Sequence, residues 1–145
     1  MMNTVTMVKQ DRSFVLWVVF YLLTCGFYHF YWQYRVVKDI NTICRGDGEE
    51  TPGVLKFTLL SIVTAGIYGY YWYYKLGDRI YRNGPRYGVP VKEDGGTMLI
   101  HLLLLSVVCG IGTFTSMYIF TKNINALAAA YNNYFAAQGY VLVEE

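Results

Sequence analysis

The chain has 145 residues and a formal net charge of +2, with 54% hydrophobic and 18% aromatic residues. That length allows one core of ordinary size, and so weak a positive balance, with both signs intermixed, speaks against nucleic-acid binding. Three cysteines, Cys25, Cys44 and Cys109, form neither a disulfide framework nor a CxxC spacing, and read as small packing residues.

The distribution of charge is more informative than its sum. No charged side chain occurs over residues 13–34, 57–74 or 95–121, stretches of 22, 18 and 27 residues. As helices they would extend about 33, 27 and 40 Å, against a bilayer hydrocarbon thickness of ~30 Å. A soluble bundle would disperse its apolar residues into amphipathic patterns. The expectation is therefore an all-α integral membrane protein with three hydrophobic membrane segments. Lys9 and Arg12 ahead of the first segment imitate a signal peptide, but Thr24 fits poorly before the Cys25 of a cleavage box, so the segment reads as a retained span.

A forty-residue offset aligns Thr24-Cys25-Gly26-Phe27-Tyr28-His29-Phe30-Tyr31-Trp32-Gln33-Tyr34-Arg35 with Thr64-Ala65-Gly66-Ile67-Tyr68-Gly69-Tyr70-Tyr71-Trp72-Tyr73-Tyr74-Lys75. Shared Thr, Gly, Tyr and Trp with a basic close are too rare a set to match by composition, so the unit is duplicated. A degenerate third copy passes through Ser106, Gly110 and Tyr118. The copies cover about 12–45, 52–83 and 97–126 of a single membrane domain, followed by an amphipathic helix over about 121–138.

The second copy carries Leu60, Ser61, Ile62, Thr64, Gly66, Ile67, Tyr68, Gly69, Tyr71, Trp72, Tyr74 and Lys75 in an order that resembles the bacterial membrane family catalogued as domain of unknown function 4234. The first copy departs at His29 and Gln33, and the third is loose. The resemblance implies a multi-pass protein of the bacterial inner membrane and brings no activity with it.

Between the copies, Asp47-Gly48-Glu49-Glu50-Thr51-Pro52-Gly53 reads as a solvated turn with Thr51 as N-cap and Pro52 at the first helical position. Asn83-Gly84-Pro85-Arg86-Tyr87-Gly88-Val89-Pro90 is a second connector. After the third segment, Ile124, Leu127, Ala128, Tyr131, Tyr134, Phe135 and Gln138 share a helical face, either continuing that segment or lying on the membrane surface. The tail 140–143 is expected to end against a partner.

Three crossings would alternate the loops across the bilayer, and the Lys and Arg counts then place the N-terminus in the cytoplasm. The alternative is re-entrant: each copy enters, turns near Thr-x-Gly and returns, with half-helices of about eleven residues that are too short to span.

On continuous helices Thr24, Tyr28, Tyr31 and Arg35, and likewise Thr64, Tyr68, Tyr71 and Lys75, fall at i, i+4, i+7 and i+11, two possible polar faces. They could draw an anionic or headgroup ligand into a cavity, or Thr could bond its own backbone while Tyr and the cation sit at the interface. Trp32 and Trp72 read as interface anchors. Ser61, Ala65 and Gly69, with Ser106 and Gly110, form small-residue ridges for helix packing, within the chain or in a homo-oligomer. Asp39 and Asp78 are expected to make solvated pairs with Lys38 and Arg79.

No catalytic, metal or cofactor pattern is present. His29 and His101 lack ligand partners, and the segments hold no acidic residue. The expected partners are membrane lipids and further copies or a membrane protein complex. The activity that asks for least is an oligomeric scaffold or accessory subunit, with a channel or lipid-binding carrier as the alternative.

Overall fold

The structure, a computed structural model, describes residues 3–109 and 111–144. Its helices come in pairs: α1 (Phe14–Leu23) with α2 (Tyr28–Ile43), α3 (Val54–Val63) with α4 (Ile67–Asn83), and α5 (Gly95–Cys109) with α6 (Gly112–Ala137). Strands β1 (Thr4–Thr6) and β2 (Val141–Val143) pair in parallel, with Thr4 opposite Val141. Among the described residues no helix is long and apolar enough to cross a membrane. Each repeat is thus a helical hairpin, and the continuous helices expected through Thr24 and Thr64 are corrected.

The break has a local cause. At the end of α1, Cys25 and Gly26 take φ of 51° and 92°, and at the end of α3, Ala65 and Gly66 take 51° and 90°. In this left-handed pair the Gly26 N–H reaches back to the Tyr21 carbonyl and the Gly66 N–H to the Ser61 carbonyl, both at 2.7 Å, the long bond of a Schellman ending. Glycine accepts that backbone without a Cβ penalty. Threonine finishes the turn. The Thr24 hydroxyl donates to the Phe20 carbonyl at 2.7 Å and accepts from the Tyr28 N–H at 2.9 Å, and Thr64 does the same with Leu60 and Tyr68 at the same two distances. One hydroxyl therefore serves the end of one helix and the start of the next.

The outgoing arms carry the core. Trp32, Val36 and Ile40 on α2 and Trp72, Leu76 and Ile80 on α4 stand forty residues apart in sequence and are all buried, joined by Met117, Phe120, Ile124 and Leu127 of α6. The hairpins are bundled in one sense. Trp17 meets Phe114, Phe14 meets Tyr118, His29 meets Tyr73, and Tyr73 meets Phe120, so α1 runs against α6 while α2, α4 and α6 run together. All turns fall at one end and all connectors at the other.

At the connector end amide side chains hold extended chain. Asn132, Asn125 and Asn41 each accept from the N–H and donate to the carbonyl of one residue, Val8, Arg12 and Thr51 respectively. Arg79, buried on α4, donates to both Asp47 carboxylate oxygens, the Thr51 hydroxyl, the Asn41 side chain and the Glu49 carbonyl. The first connector is wrapped around a guanidinium, which corrects its reading as a solvated turn. Gly53, not Thr51, precedes α3, and Thr51 is buried. Asp78 bonds Arg82 one helical turn on, and Asp39 forms a buried pair with Arg12, so neither makes the solvated pair expected of it.

Val141–Val143 of the tail pair with the chain's own β1. The face Ile124, Leu127, Ala128 and Tyr131 is core, α6 being one helix with the third hairpin's outgoing arm, while Gln138 is exposed.

Two outcomes follow. Thr64→Val keeps the shape but strands the Tyr68 N–H, a loss of about 1–2 kcal/mol, and thermal unfolding in detergent should show Tm lowered by roughly 5 °C, with Thr64→Ser near wild type. Equal Tm for the Val and Ser variants would remove the hydroxyl from the turn.

The second concerns acid. Burial pushes the Asp47 carboxyl up, but hydrogen bonds from Arg79, the Glu49 N–H and Asn83 outweigh it and bring it down to about 2. A carboxyl depressed on folding stabilises above its unfolded pKa of about 3.9 and loses that contribution as pH falls through the folded value. Asp47→Asn should therefore cost about 2 kcal/mol at neutral pH and flatten the stability profile between about pH 4 and 2, read by urea unfolding across pH.

Candidate functional site

The turns project an apolar surface. Leu23 is 74% exposed, Val63 81% and Val107 86%, with Phe27, Ile67 and Ile111 on the far side of each turn also exposed. Ten-residue α1 and α3 reach about 15 Å, so the turns stand that far from the charged end. Every Lys, Arg, Asp and Glu lies outside the three charge-free stretches, toward the connectors. One molecule thus has a charged, hydrogen-bonded base and an uncharged crown, with side chains that gain nothing from facing water.

Between base and crown, each of the first two repeats forms a cleft where the segment entering the hairpin crosses its outgoing arm. The cleft of the second repeat, about 220 Å³, is lined by Tyr68, Tyr71, Trp72 and Lys75 with Glu49 and Pro52. That of the first, about 310 Å³, is lined by the equivalent Tyr28, Tyr31, Trp32 and Arg35 with Lys9 and Trp17. The structure therefore brings together three of each four polar-face residues. Thr24 and Thr64 are not among them, being spent on the turns, and the two sets line separate clefts instead of a shared cavity.

Trp32 and Trp72 are 5% and 1% exposed, which corrects their reading as interface anchors. Trp72 stacks edge-on to Phe57 and donates its indole N–H to the Pro52 carbonyl at 3.0 Å. The aromatic residues exposed at this level are instead Tyr31, Tyr34, Tyr70 and Tyr71.

The small-residue ridge is corrected as well. Ser61 lies on α3, Ala65 in the turn and Gly69 on α4, so they share no helix face. A Cβ on Gly69 would meet the Ser61 Oγ at 3.7 Å, a contact inside the hairpin. Ser106 receives Gly112, whose Cβ would fall 2.5 Å from the Ser106 nitrogen, while Gly110 lies outside the described residues. The closest approaches of α4 and α5 use residues that periodicity did not single out: a Cβ on Gly95 would lie 2.4 Å from the Tyr74 carbonyl.

Of the first copy's departures, His29 is half-buried and Gln33 buried. His29 Nε2 sits 2.5 Å from the Tyr73 hydroxyl, and both amide atoms of Gln33 lack a partner among the described residues. Cys25 is exposed in its turn and Cys44 is buried, its thiol pushed up to about 12 by burial. His101 bonds the Thr97 carbonyl, and no group of His, Cys, Asp or Glu among the described residues is arranged to hold a metal.

No curated protein and no solved structure matches the chain. Residues 12–82 match the model of the family described as Domain of unknown function (DUF4234), a little under half of the chain, so the match covers the first two hairpins while the third lies beyond it.

Proposed function

We propose that the protein is a membrane-embedded scaffold that enters the bilayer from one face only, its three hairpins dipping to about the midplane and returning. The observation that carries this reading is the coincidence of the uncharged stretches with three turns at one end of the bundle. An arm of about 15 Å is half of the ~30 Å hydrocarbon layer.

Other features agree with that placement. A reversal in hydrocarbon is tolerated only when its backbone groups find partners, and the Thr-x-Gly turns of the first two hairpins supply them internally. Exposed Tyr31, Tyr34, Tyr70 and Tyr71 stand near the limit of the charged residues, the level at which amphipathic rings meet the interface. All twelve Lys and Arg then lie on one side, the cytoplasmic one by the positive-inside rule, in the inner membrane if the source is bacterial.

The scaffold reading is favoured over a channel because the two Tyr-lined clefts open separately and, among the described residues, no helix is long and apolar enough to cross the bilayer. Self-association is retained as part of the proposal, on the exposed crown rather than on Ser61, Ala65 and Gly69.

Single-cysteine variants in sealed vesicles test the topology. Glu50→Cys in the first connector and Lys92→Cys in the second should react with an impermeant maleimide from the same side. Native Cys25 should stay unlabelled until detergent is added, and Cys44 should stay unreactive in the folded protein. Reaction of the two connectors from opposite sides, or recovery of the protein in the soluble fraction after carbonate washing, would refute one-sided insertion.

A further inference from the structure

The two clefts are built on the same framework but differ in whether their polar groups are satisfied. In the second repeat Lys75 pairs with Glu49 at 3.3 Å, Arg79 is enclosed by Asp47, and the Trp72 indole N–H has the Pro52 carbonyl. Glu49 and Glu50 balance the two cations of the lining. That cleft is closed electrostatically.

The first repeat has the opposite composition. Lys9, Arg12 and Arg35 line it against a single acid, Asp11. Arg12 is held by Asp39, and Lys9 stands 4.0 Å from Asp11, both of those side chains largely exposed. Arg35, the counterpart of Lys75, makes no hydrogen bond or ion pair among the described residues. Position 9, opposite the glutamate that neutralises Lys75, is itself a lysine.

The indole donors differ in the same sense. The carbonyl equivalent to that of Pro52 belongs to Arg12 and accepts from Asn125 at 2.8 Å, and the Trp32 indole makes no bond like that of Trp72. Trp17, 2% exposed, also lines the cleft, and its indole N–H has no acceptor among the described residues. The second repeat has Phe57 at that place and no donor to satisfy. With Arg12 held by Asp39 and Lys9 beside Asp11, Arg35 is the cation of this lining that no acid holds by a hydrogen bond, although Asp39 acts on it at longer range and Glu144 shares the adjoining cleft with it, while Leu16 and Phe20 continue the wall toward the crown.

We infer that the first-repeat cleft binds the phosphate of an anionic phospholipid headgroup, with Arg35 as the principal contact and the acyl chains lying along the Leu16 and Phe20 wall. A phosphate oxygen matches a guanidinium through charge-assisted hydrogen bonds, and indole N–H groups add neutral donors. A ligand both anionic and apolar fits a wall that passes from charged to uncharged within one cleft. This rests on the one-sided membrane placement proposed above, which puts Arg35 at headgroup depth.

The test uses the full chain in detergent with mixed phosphatidylcholine and phosphatidylglycerol, counting retained lipid by native mass measurement. Wild type should retain phosphatidylglycerol in preference to phosphatidylcholine. Arg35→Gln should weaken that retention about tenfold, Arg35→Lys less, and Lys75→Gln not at all. Equal retention of the two lipids, or equal effects of Arg35→Gln and Lys75→Gln, would overturn the assignment. Displacement of the lipid by millimolar inorganic phosphate would also overturn it, in favour of a free-anion site, whereas resistance to phosphate supports the lipid.

Failure of the membrane reading is distinguishable. It would show as wild type that does not float with pure phosphatidylcholine vesicles, whereas failure of the headgroup site alone leaves flotation intact and removes only the dependence on phosphatidylglycerol and Arg35.

Discussion

A chain that reverses direction in apolar surroundings leaves the end of one helix and the start of the next without hydrogen-bond partners, and no water is at hand to supply them. Thr24 and Thr64 resolve this with one hydroxyl each, donating backward to Phe20 or Leu60 and accepting forward from Tyr28 or Tyr68. Much else depends on that closure. With the turn satisfied from within, the side chains around it are free to be apolar and exposed, as Leu23, Phe27, Val63 and Ile67 are. With the arms antiparallel, the charges flanking each apolar stretch are carried to the same end.

The base obeys the complementary rule. Extended segments at that end cannot pair as a full sheet, so amide side chains take the place of a neighbouring strand. Asn41, Asn125 and Asn132 each satisfy both backbone groups of one residue, and the β1 and β2 pair covers only three residues a side. Net gains from such bonds are about 1 kcal/mol apiece, but leaving a buried partner unmatched costs more, so the clamps specify the connectors' paths more than they add stability. Arg79 acts similarly by gathering four acceptor atoms of the first connector and a fifth from Asn41 on α2.

Duplication preserved the framework while its chemistry diverged. At equivalent positions the second arms carry Asp39 and Arg79, and each forms a buried ion pair with a residue from outside its helix, Arg12 and Asp47 respectively. The polarity is reversed. Where α3 and α4 touch through Ser61 and Gly69, α1 and α2 place the bulkier Tyr21 and His29, with ring centroids 6.5 Å apart. Bulkier side chains inside the hairpin and a basic entry segment are what distinguish the first cleft from the second.

The sequence alone determined the helical class, the forty-residue repeat, the three uncharged stretches and the grouping of Tyr and basic residues, because composition and periodicity are local properties. It also contained the turn: Thr-x-Gly at the centre of the first two uncharged stretches was readable as a reversal. It could not choose between crossing and returning, since about twenty apolar residues are needed either to traverse ~30 Å once or to go half as deep and come back. Helical spacing carried through Thr24 and Thr64 therefore joined residues that the fold separates, and produced the continuous polar faces and the Ser61, Ala65 and Gly69 ridge.

Only the tertiary structure buried Trp32 and Trp72, paired Asp39 with Arg12 and Arg79 with Asp47, and set Gly95 against Tyr74. Those contacts join residues tens of positions apart, and an indole or a carboxylate has the same local signature whether it faces lipid, water or another helix. Which it faces is decided by where the second arm of each hairpin packs.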